Sequence, residues 1–288
     1  MVFELKELSA AKKQYLLQSI IAPRPICFAS TIDKEGRVNL SPFSFFNMFS
    51  ANPPIVVFSP ARRVRDNTTK HTLQNVLEVP EVVINIVTYD MVQQMSLSSC
   101  DYGKDVDEFT KVGFTKEKAT LVSPPMVKES KAKLECKVIE VKSLGEEGGA
   151  GNLVICEILR LHLDDSLMME DDKLDPSKLE LVARLGGDWY CRISKENLFI
   201  VPKPNIKLGI GIDALPEHIR FSKYLTGNHL GMLANVEEMP KPELAFRDDF
   251  FANNEMDLFN SQELIHKHVA ELLNENKVQE AWQVFLMK

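Results

Sequence analysis

The stretch Lys131-Ala-Lys-Leu-Glu-Cys-Lys-Val-Ile-Glu-Val141, followed after a short break by Leu153-Val-Ile-Cys-Glu-Ile-Leu-Arg-Leu-His-Leu163, decides the fold. In the first part, apolar Ala132, Leu134, Cys136 and Val138 alternate with lysine and glutamate. In the second, every odd position except Glu157 is apolar. A period of two is the period of a strand. Leu144–Asn152 between them, with its glycines and two glutamates, has the composition of a hairpin loop.

The chain on either side extends this reading. Leu8–Ser19 reads as a short helix, broken by Ala22–Pro23–Arg24–Pro25. Ile26–Ile32 is a strand, Asp33–Gly36 a hairpin loop and Arg37–Pro42 the return strand. Asn52–Pro53–Pro54 punctuates, and Ile55–Ser59 is a buried strand. Asp66–Val79 has helical spacing, with Leu73, Val76 and Leu77 on one face. Val82–Val87 is another strand, and Tyr89–Leu97 a short helix. Six or more hairpin-connected strands, with helices between only some of them, predict a mainly β, α+β chain built on a closed antiparallel barrel. The repeated β-helix-β pattern of a doubly wound sheet is missing.

After Pro202–Lys203–Pro204 the texture changes. Leu258–Leu286 reads as one or two amphipathic helices, with Leu264, Val269, Leu272 and Leu273 on the buried face. The expected division is a barrel domain over residues 1–204 and a mostly helical C-terminal extension over 205–288. The extension shows no obvious core of its own, so it is expected to pack on the barrel or on a dimer partner.

Composition narrows the function. Hydrophobic residues make up 44% and charged residues 26% of 288, as in ordinary globular proteins. Apolar runs such as Val82–Val87 fall far short of the roughly 20 residues that cross a bilayer. The acidic N-terminus, with no long apolar run, predicts no signal peptide. A formal charge of −7 argues against non-specific nucleic-acid or membrane binding. Cys27, Cys100, Cys136, Cys156 and Cys191 are widely spaced and form no C-x-x-C; they read as reduced thiols, mostly in core runs, of a cytoplasmic protein.

The chain has no G-x-G-x-x-G after a strand, no P-loop, no H-E-x-x-H and no G-x-S-x-G. Gly148, Gly149 and Gly151 read as a hairpin tip rather than a phosphate cradle. His266 and His268, two apart on a helix, point to different faces, and the Asp164–Asp172 acidic cluster reads as a solvated loop. No metal site is expected. Three segments remain. Ser41–Pro42–Phe43–Ser44–Phe45–Phe46–Asn47 alternates hydroxyl and aryl groups, which suits a flat heteroaromatic ligand as well as a core. Arg62–Thr72 gathers basic residues and threonines at a helix start; it suits a phosphate, or equally a helix capped by Asp66 or Thr68. Arg184–Leu185–Gly186–Gly187–Asp188–Trp189–Tyr190 is either a turn before a strand or a cover for a ring.

In this order and spacing, the segments resemble the flavin reductase-like, FMN-binding split β-barrel family, in its flavoredoxin-like branch. The resemblance runs from about Ala22 to Ile200. It includes Pro23–Arg24–Pro25, Ser30–Thr31, Asn39–Asn47, Asn52–Pro54, Thr72 with Asn75, Val82–Val87, Asp101–Tyr102 with Asp107–Phe109, and Ala183–Gly187 with Tyr190. It implies FMN held non-covalently in a homodimer of split barrels, with a helical extension added here. The implied cofactor-binding set is Ser41, Ser44, Phe45, Phe46, Asn47, Ser59, Arg65, Lys70, His71, Thr72, Tyr102, Gly187 and Tyr190, with no catalytic side chain. Lys70–His71–Thr72 would meet the phosphate; the family often has an acid where His71 stands. The implied function is an oxidoreductase that passes hydride from NADH or NADPH to bound flavin and electrons onward to an unknown acceptor. The alternative is an FMN-binding electron carrier with little intrinsic NAD(P)H activity.

Overall fold

The structure, a computed structural model, describes residues 1–203, 208–246 and 261–287. The chain divides into two compact units, Met1–Phe199 and Ile200–Lys288. The expected boundary after residue 204 and the expected helix start at 258 lie outside the described residues.

In the first unit, Ser9 caps helix α1 (Ala10–Ile20) by accepting a hydrogen bond from the Lys12 amide at 3.2 Å. Strands β1 (Cys27–Ile32), β2 (Val38–Phe43), β3 (Phe46–Ala51) and β4 (Pro54–Phe58) follow. Next come α2 (His71–Glu78), β5 (Glu81–Ile86), α3 (Val92–Leu97) and α4 (Glu108–Val112). The short strands β6 (Lys116–Glu117) and β7 (Met126–Val127) precede the long pair β8 (Ala132–Ser143) and β9 (Asn152–Leu163). A small hairpin, β10 (Val182–Arg184) and β11 (Tyr190–Arg192), ends the series.

Seven strands form one antiparallel sheet in the order β2-β1-β5-β8-β9-β4-β3. The end strands β2 and β3 are neighbours in sequence, yet among the described residues no ladder joins them. The barrel is therefore split along this seam rather than closed. Its inner face still packs on itself. Cys27, Ala29, Phe43, Val56, Phe58, Val82, Ile84, Cys136, Val138, Val154 and Cys156 share one core with Leu73 and Val76 of α2. Phe43 and Phe58 meet across the seam with ring centroids 5.5 Å apart. The other face of β1 sends Phe28 into a second core with Leu40, Met91, Met95, Phe109 and Phe114.

Several expectations change. The helix expected from Asp66 starts at His71, because Asp66 instead closes a turn by accepting from the Thr68 amide at 3.0 Å. Neither Asp66 nor Thr68 caps that helix. Leu77 is exposed and not on its buried face. The segment after Ser44, expected as part of a ligand site, forms the edge strand β3. On β9 the even positions Val154 and Cys156 are fully buried, whereas Leu159 and Leu161 on the apolar odd face are 42% and 52% exposed. On β8 the expected alternation holds, with Leu134, Cys136 and Val138 towards the barrel core. Glu135 stands opposite Val83 on the outer face, where the Thr120–Val122 loop buries it. The register with β9 shifts by one residue at Leu159 and again at Ile139. Cys27, Cys136 and Cys156 are buried free thiols, while Cys100 is exposed. Burial pushes the Cys156 thiol up to about 12.

The second unit corrects the expectation of a core-less tail. Leu215, Ile219, Leu233, Ile265, Val269, Leu272, Leu273, Trp282 and Phe285 pack together. Trp282 is fully buried, and its Nε1 donates to the Leu233 carbonyl at 3.1 Å. The helices Gln262–Asn274 and Val278–Leu286 supply most of this core. Val269, Leu272 and Leu273 face it as expected, but Leu264 is exposed. Thr226 and His229 form a reciprocal capping box at the start of Gly227–Ala234. Among the described residues, no helix is long and apolar enough to cross a membrane.

The buried Glu135 carboxylate tethers the loop after β6 to the barrel. It accepts from the amides of Thr120 (3.0 Å), Leu121 (2.5 Å) and Val122 (3.1 Å), from Thr120 Oγ1 (2.5 Å) and from His162 Nε2 (2.6 Å). Burial pushes its pKa up, but the bonds from Thr120, Leu121 and His162 outweigh that and hold it down at about 2. A carboxylate with a depressed folded pKa stabilises fully above its unfolded value of about 4.3 and loses that contribution as pH falls through the folded value. Glu135→Gln is therefore expected to lower the melting temperature clearly at pH 7. The gap to the wild type should narrow as the pH falls from about 4.3 towards 2; a gap of equal size at both ends would disprove the role.

Candidate functional site

The seam between β2 and β3 opens into a cleft within the first unit. A cavity of about 620 Å³ is lined by Ile20–Pro25, Ser44–Asn47, Phe49, Val57–Ser59 and Leu153. A second, of about 840 Å³, is bounded by one face of α1 (Ala10, Lys13, Gln14, Leu17, Gln18) and by Ala61–Arg65, with Lys70, Asp101, Gly148 and Gly149. The two share Ile21, Arg24 and Phe45. A third, narrow pocket lies beside Asn39, Ser41, His71, Thr72, Tyr102 and Glu108 and shares Arg63, Lys70 and Asp101 with the second. The site thus grades from an aryl-lined end to a cationic end.

The aryl end follows from how the Phe43–Phe49 segment crosses the seam. Phe43 is core and Phe46 packs against it, but Phe45 and Phe49 are 40% and 69% exposed. The Ser59 amide donates to the Phe45 carbonyl at 2.8 Å. The Ser59 hydroxyl accepts from the Asn152 amide at 3.0 Å. Gly151 is required beside it, since a Cβ there would lie 2.8 Å from Ser59 Oγ.

At the cationic end, three cations converge on one carboxylate. Arg63 Nε and Nη2 lie 3.1 and 2.9 Å from Asp101 Oδ1, and Lys70 Nζ lies 3.4 Å from it. Arg65 Nη2 bonds the other oxygen. Hydrogen bonding from Arg63 leads in holding the Asp101 carboxyl down at about 2, with Arg65 and Lys70 adding to it. Arg63 also donates to Thr68 Oγ1 (2.9 Å) and the Thr69 carbonyl (2.7 Å). The β8–β9 tip clamps this loop: Arg62 N donates to the Ala150 carbonyl (2.8 Å) and Gly149 N to the Arg62 carbonyl (3.0 Å). A Cβ on Gly148 would lie 3.1–3.2 Å from the Val64 and Arg63 carbonyl oxygens, so the tip needs glycine to approach this closely. Helix α2 starts at His71, next to Lys70, and the amides of its first turn that find no carbonyl within the helix are the usual anion donors of a helix start.

Beneath α2 the polar groups form a buried chain. Thr72 Oγ1 donates to Asn39 Oδ1 at 2.6 Å, and Asn39 Nδ2 donates to Glu108 Oε1 at 2.9 Å. Leu40 N donates to Glu108 Oε2 at 3.2 Å. Burial pushes the Glu108 carboxyl up. Burial, and then the charges of Arg63, Lys104 and Lys70, push the His71 imidazole below the usual histidine range.

Of the residues expected at the site, Ser44, Phe45, Phe46, Asn47 and Ser59 lie together at the aryl end. Arg65 and Lys70 line the middle, and Ser41, Lys70, His71, Thr72 and Tyr102 the narrow pocket. Gly187 and Tyr190 are not brought to the cleft. Tyr190 lines a separate hollow with Tyr89, Val92 and Arg192, and stacks under Arg184 at 4.6 Å. The neighbouring Gly186 packs on α1, where a Cβ would meet Ser19 Oγ at 2.2 Å. Sequence reasoning missed the α1 face, Arg24 and the acid Asp101 as parts of one cleft. The helical spacing of Ala10, Lys13, Gln14, Leu17 and Gln18 was the available signal.

Thr72→Val removes the donor to Asn39 while nearly preserving shape, and is expected to cost about 1–2 kcal/mol in chemical denaturation. His71 is expected to titrate below ordinary histidines by NMR. Inorganic phosphate should raise its pKa, because an anion offsets the surrounding cations; an unmoved titration would rule out anion binding there.

A family model described as a flavin reductase like domain matches residues 20–176, more than half of the chain. An uncharacterized protein of Aquifex aeolicus is 33% identical over 192 residues, spanning 67% of this chain and 95% of its own. The crystal structure of nitrilotriacetate monooxygenase component B from Bacillus cereus superposes with a TM-score of 0.65 at 27% identity, covering 70% of this chain and 98% of that one. Flavoredoxin of Desulfovibrio vulgaris (Miyazaki F) shares the fold, with a TM-score of 0.55 at 20% identity over 72% of this chain and 99% of its own. The match to the family ends before the second unit begins. By its matched residues and its split seven-stranded sheet, the chain belongs to the flavin reductase-like domain family.

Proposed function

We propose that the first unit binds FMN in the seam cleft and acts as an NAD(P)H-dependent oxidoreductase. The observation that carries this reading is the polarity gradient of one continuous cleft. Its two large cavities, of about 840 and 620 Å³, fall within the roughly 300–1,000 Å³ of cofactor sites. One end offers Phe45, Phe46 and Val57 to a flat ring, and the other offers Lys70, Arg63 and the α2 amides to a phosphate. These residues fit a ligand with an apolar ring and an anionic tail. When bound, FMN supplies hydride acceptance and onward electron transfer.

The chain's own residues then have defined tasks. Lys70, the first amides of α2 and His71 hold the phosphate, while Asp101 keeps Arg63 and Arg65 in place when no anion is present. The hydroxyls of Ser41, Ser44 and Ser59 and the Asn47 amide offer polar partners along the chain and ring edge. Phe45 and the α1 face exclude water from one side. Thr72, its hydroxyl committed to Asn39, acts by fixing the helix start rather than as a free donor. Met48 and Phe49 on the edge strand β3 are 57% and 69% exposed, which supports pairing of two chains through this edge.

Purified protein is expected to be yellow, or to gain thermal stability when FMN is added. Anaerobic NADH or NADPH should then bleach the flavin absorbance without a helper enzyme. A yellow protein bleached only through another reductase would instead be a carrier, and a protein neither coloured nor stabilised by FMN refutes the assignment. Lys70→Ala should weaken FMN binding about 10- to 100-fold, the range of a charge-assisted hydrogen bond.

A further inference from the structure

Arg24 stands where the two large cavities meet and lines both. It is only 7% exposed. Buried cations are normally paired with an anion, because burial of an unneutralised charge is costly. The partners of Arg24 are instead three backbone carbonyls: those of Gln18, Ile21 (2.5 Å) and Leu185 (2.7 Å). Its Nε, also buried, has no hydrogen-bond partner among the described residues. Dipoles can hold a guanidinium but cannot cancel its charge. Burial, and then the nearby charge of Arg184, push the Arg24 guanidinium below the usual arginine range.

The position selects which part of a ligand could answer this charge. The residues shared with the narrow anion pocket are Arg63, Lys70 and Asp101, whereas Arg24 shares its two cavities with Phe45 and Ile21. It therefore stands beside the aryl end and outside the narrow anion pocket. A neutral ring that accepts a hydride gains one negative charge unless a proton follows, and a fixed cation beside it favours that charged form.

We propose that Arg24 is the counter-charge for the flavin ring, favouring its reduced, anionic form over the oxidised one. The proposal rests on the FMN reading above. Arginine suits the clasp better than lysine, because its fork spans the end of α1 and the Leu185 turn, while either residue would carry the charge.

The test measures the midpoint potential of the bound flavin, and FMN affinity in both redox states, in wild-type, R24K and R24Q protein. R24Q should weaken binding of the reduced cofactor about tenfold more than that of the oxidised one. For a two-electron couple this moves the potential about 30 mV more negative. R24K keeps the charge and should stay close to the wild type in potential even if less stable. T72V, which loosens the Asn39 chain away from Arg24, should lower thermal stability and leave the potential alone. A potential unchanged in R24Q, with R24K and R24Q equally destabilised, would reduce Arg24 to a backbone clasp and overturn the proposal. Should R24Q not fold, the wild type decides. Its reduced flavin should remain deprotonated below the pH at which free reduced FMN takes up its proton, and ordinary protonation there overturns the proposal. A wild type that binds no FMN refutes the cofactor reading instead.

Discussion

The pairing of β8 with β9 is the constraint on which the barrel and its cleft both depend. It runs from Ala132 opposite Leu163 to Ser143 opposite Asn152, and it occupies the middle of the sheet. Near one end, Glu135 and His162 tie down the Thr120–Val122 loop. At the other end, the glycine tip grips the backbone of Arg62. Asn152 at the start of β9 also reaches Ser59 and, through its side chain, the Pro60 carbonyl at 3.0 Å. A single hairpin thus sets where the cationic loop stands relative to the aryl end of the cleft.

Much of this was legible in the sequence, because period-two patterning and glycine-rich breaks are local signals. The hairpin itself, the strands around Ile26–Pro42, the opening helix and the short helix at Tyr89–Leu97 all appear close to where pattern placed them. The errors have a common cause. Alternation shows that a strand has two unlike faces, but it does not say which one meets the core. On β9 the apolar odd face is partly open, while the smaller Val154 and Cys156 fill the interior. On β8 the polar face is not all solvent-exposed: Glu135 points away from the barrel core as its place in the alternation predicts, but the Thr120–Val122 loop folds over it and offers three backbone amides. The helical unit lost its core in the reading for another reason. Its apolar residues come from segments as distant as Leu215 and Phe285, so no single window shows them together.

The site was legible in part for similar reasons. Residues contributed by one continuous segment, Ser44–Asn47 or Lys70–Thr72, stand together in the fold because they are neighbours in the chain. The Gly187–Tyr190 turn is elsewhere, and its neighbour Gly186 serves instead to let α1 approach. Asp101 gains its meaning from contacts more than 30 residues away, an acid among three cations, and Arg24 from a local helix end joined by the distant Leu185 carbonyl. Charge balance at a point in space is not a property of any local window.

Helix α1 has a consequence for how a ligand is held in the cleft. It buries none of its residues, and its ends are held by few contacts: Ala10 near Gly149, and the last turn by Arg24 and Gly186. An isolated helix of this length is marginal in water. The cleft accordingly has walls of unlike construction: a sheet whose strands are laddered to one another, and a single helix clasped at its C-terminal end by Arg24 and seated against Gly186. A ligand filling the cavity would lie against Leu17 and so add apolar contact to the wall that has less of its own.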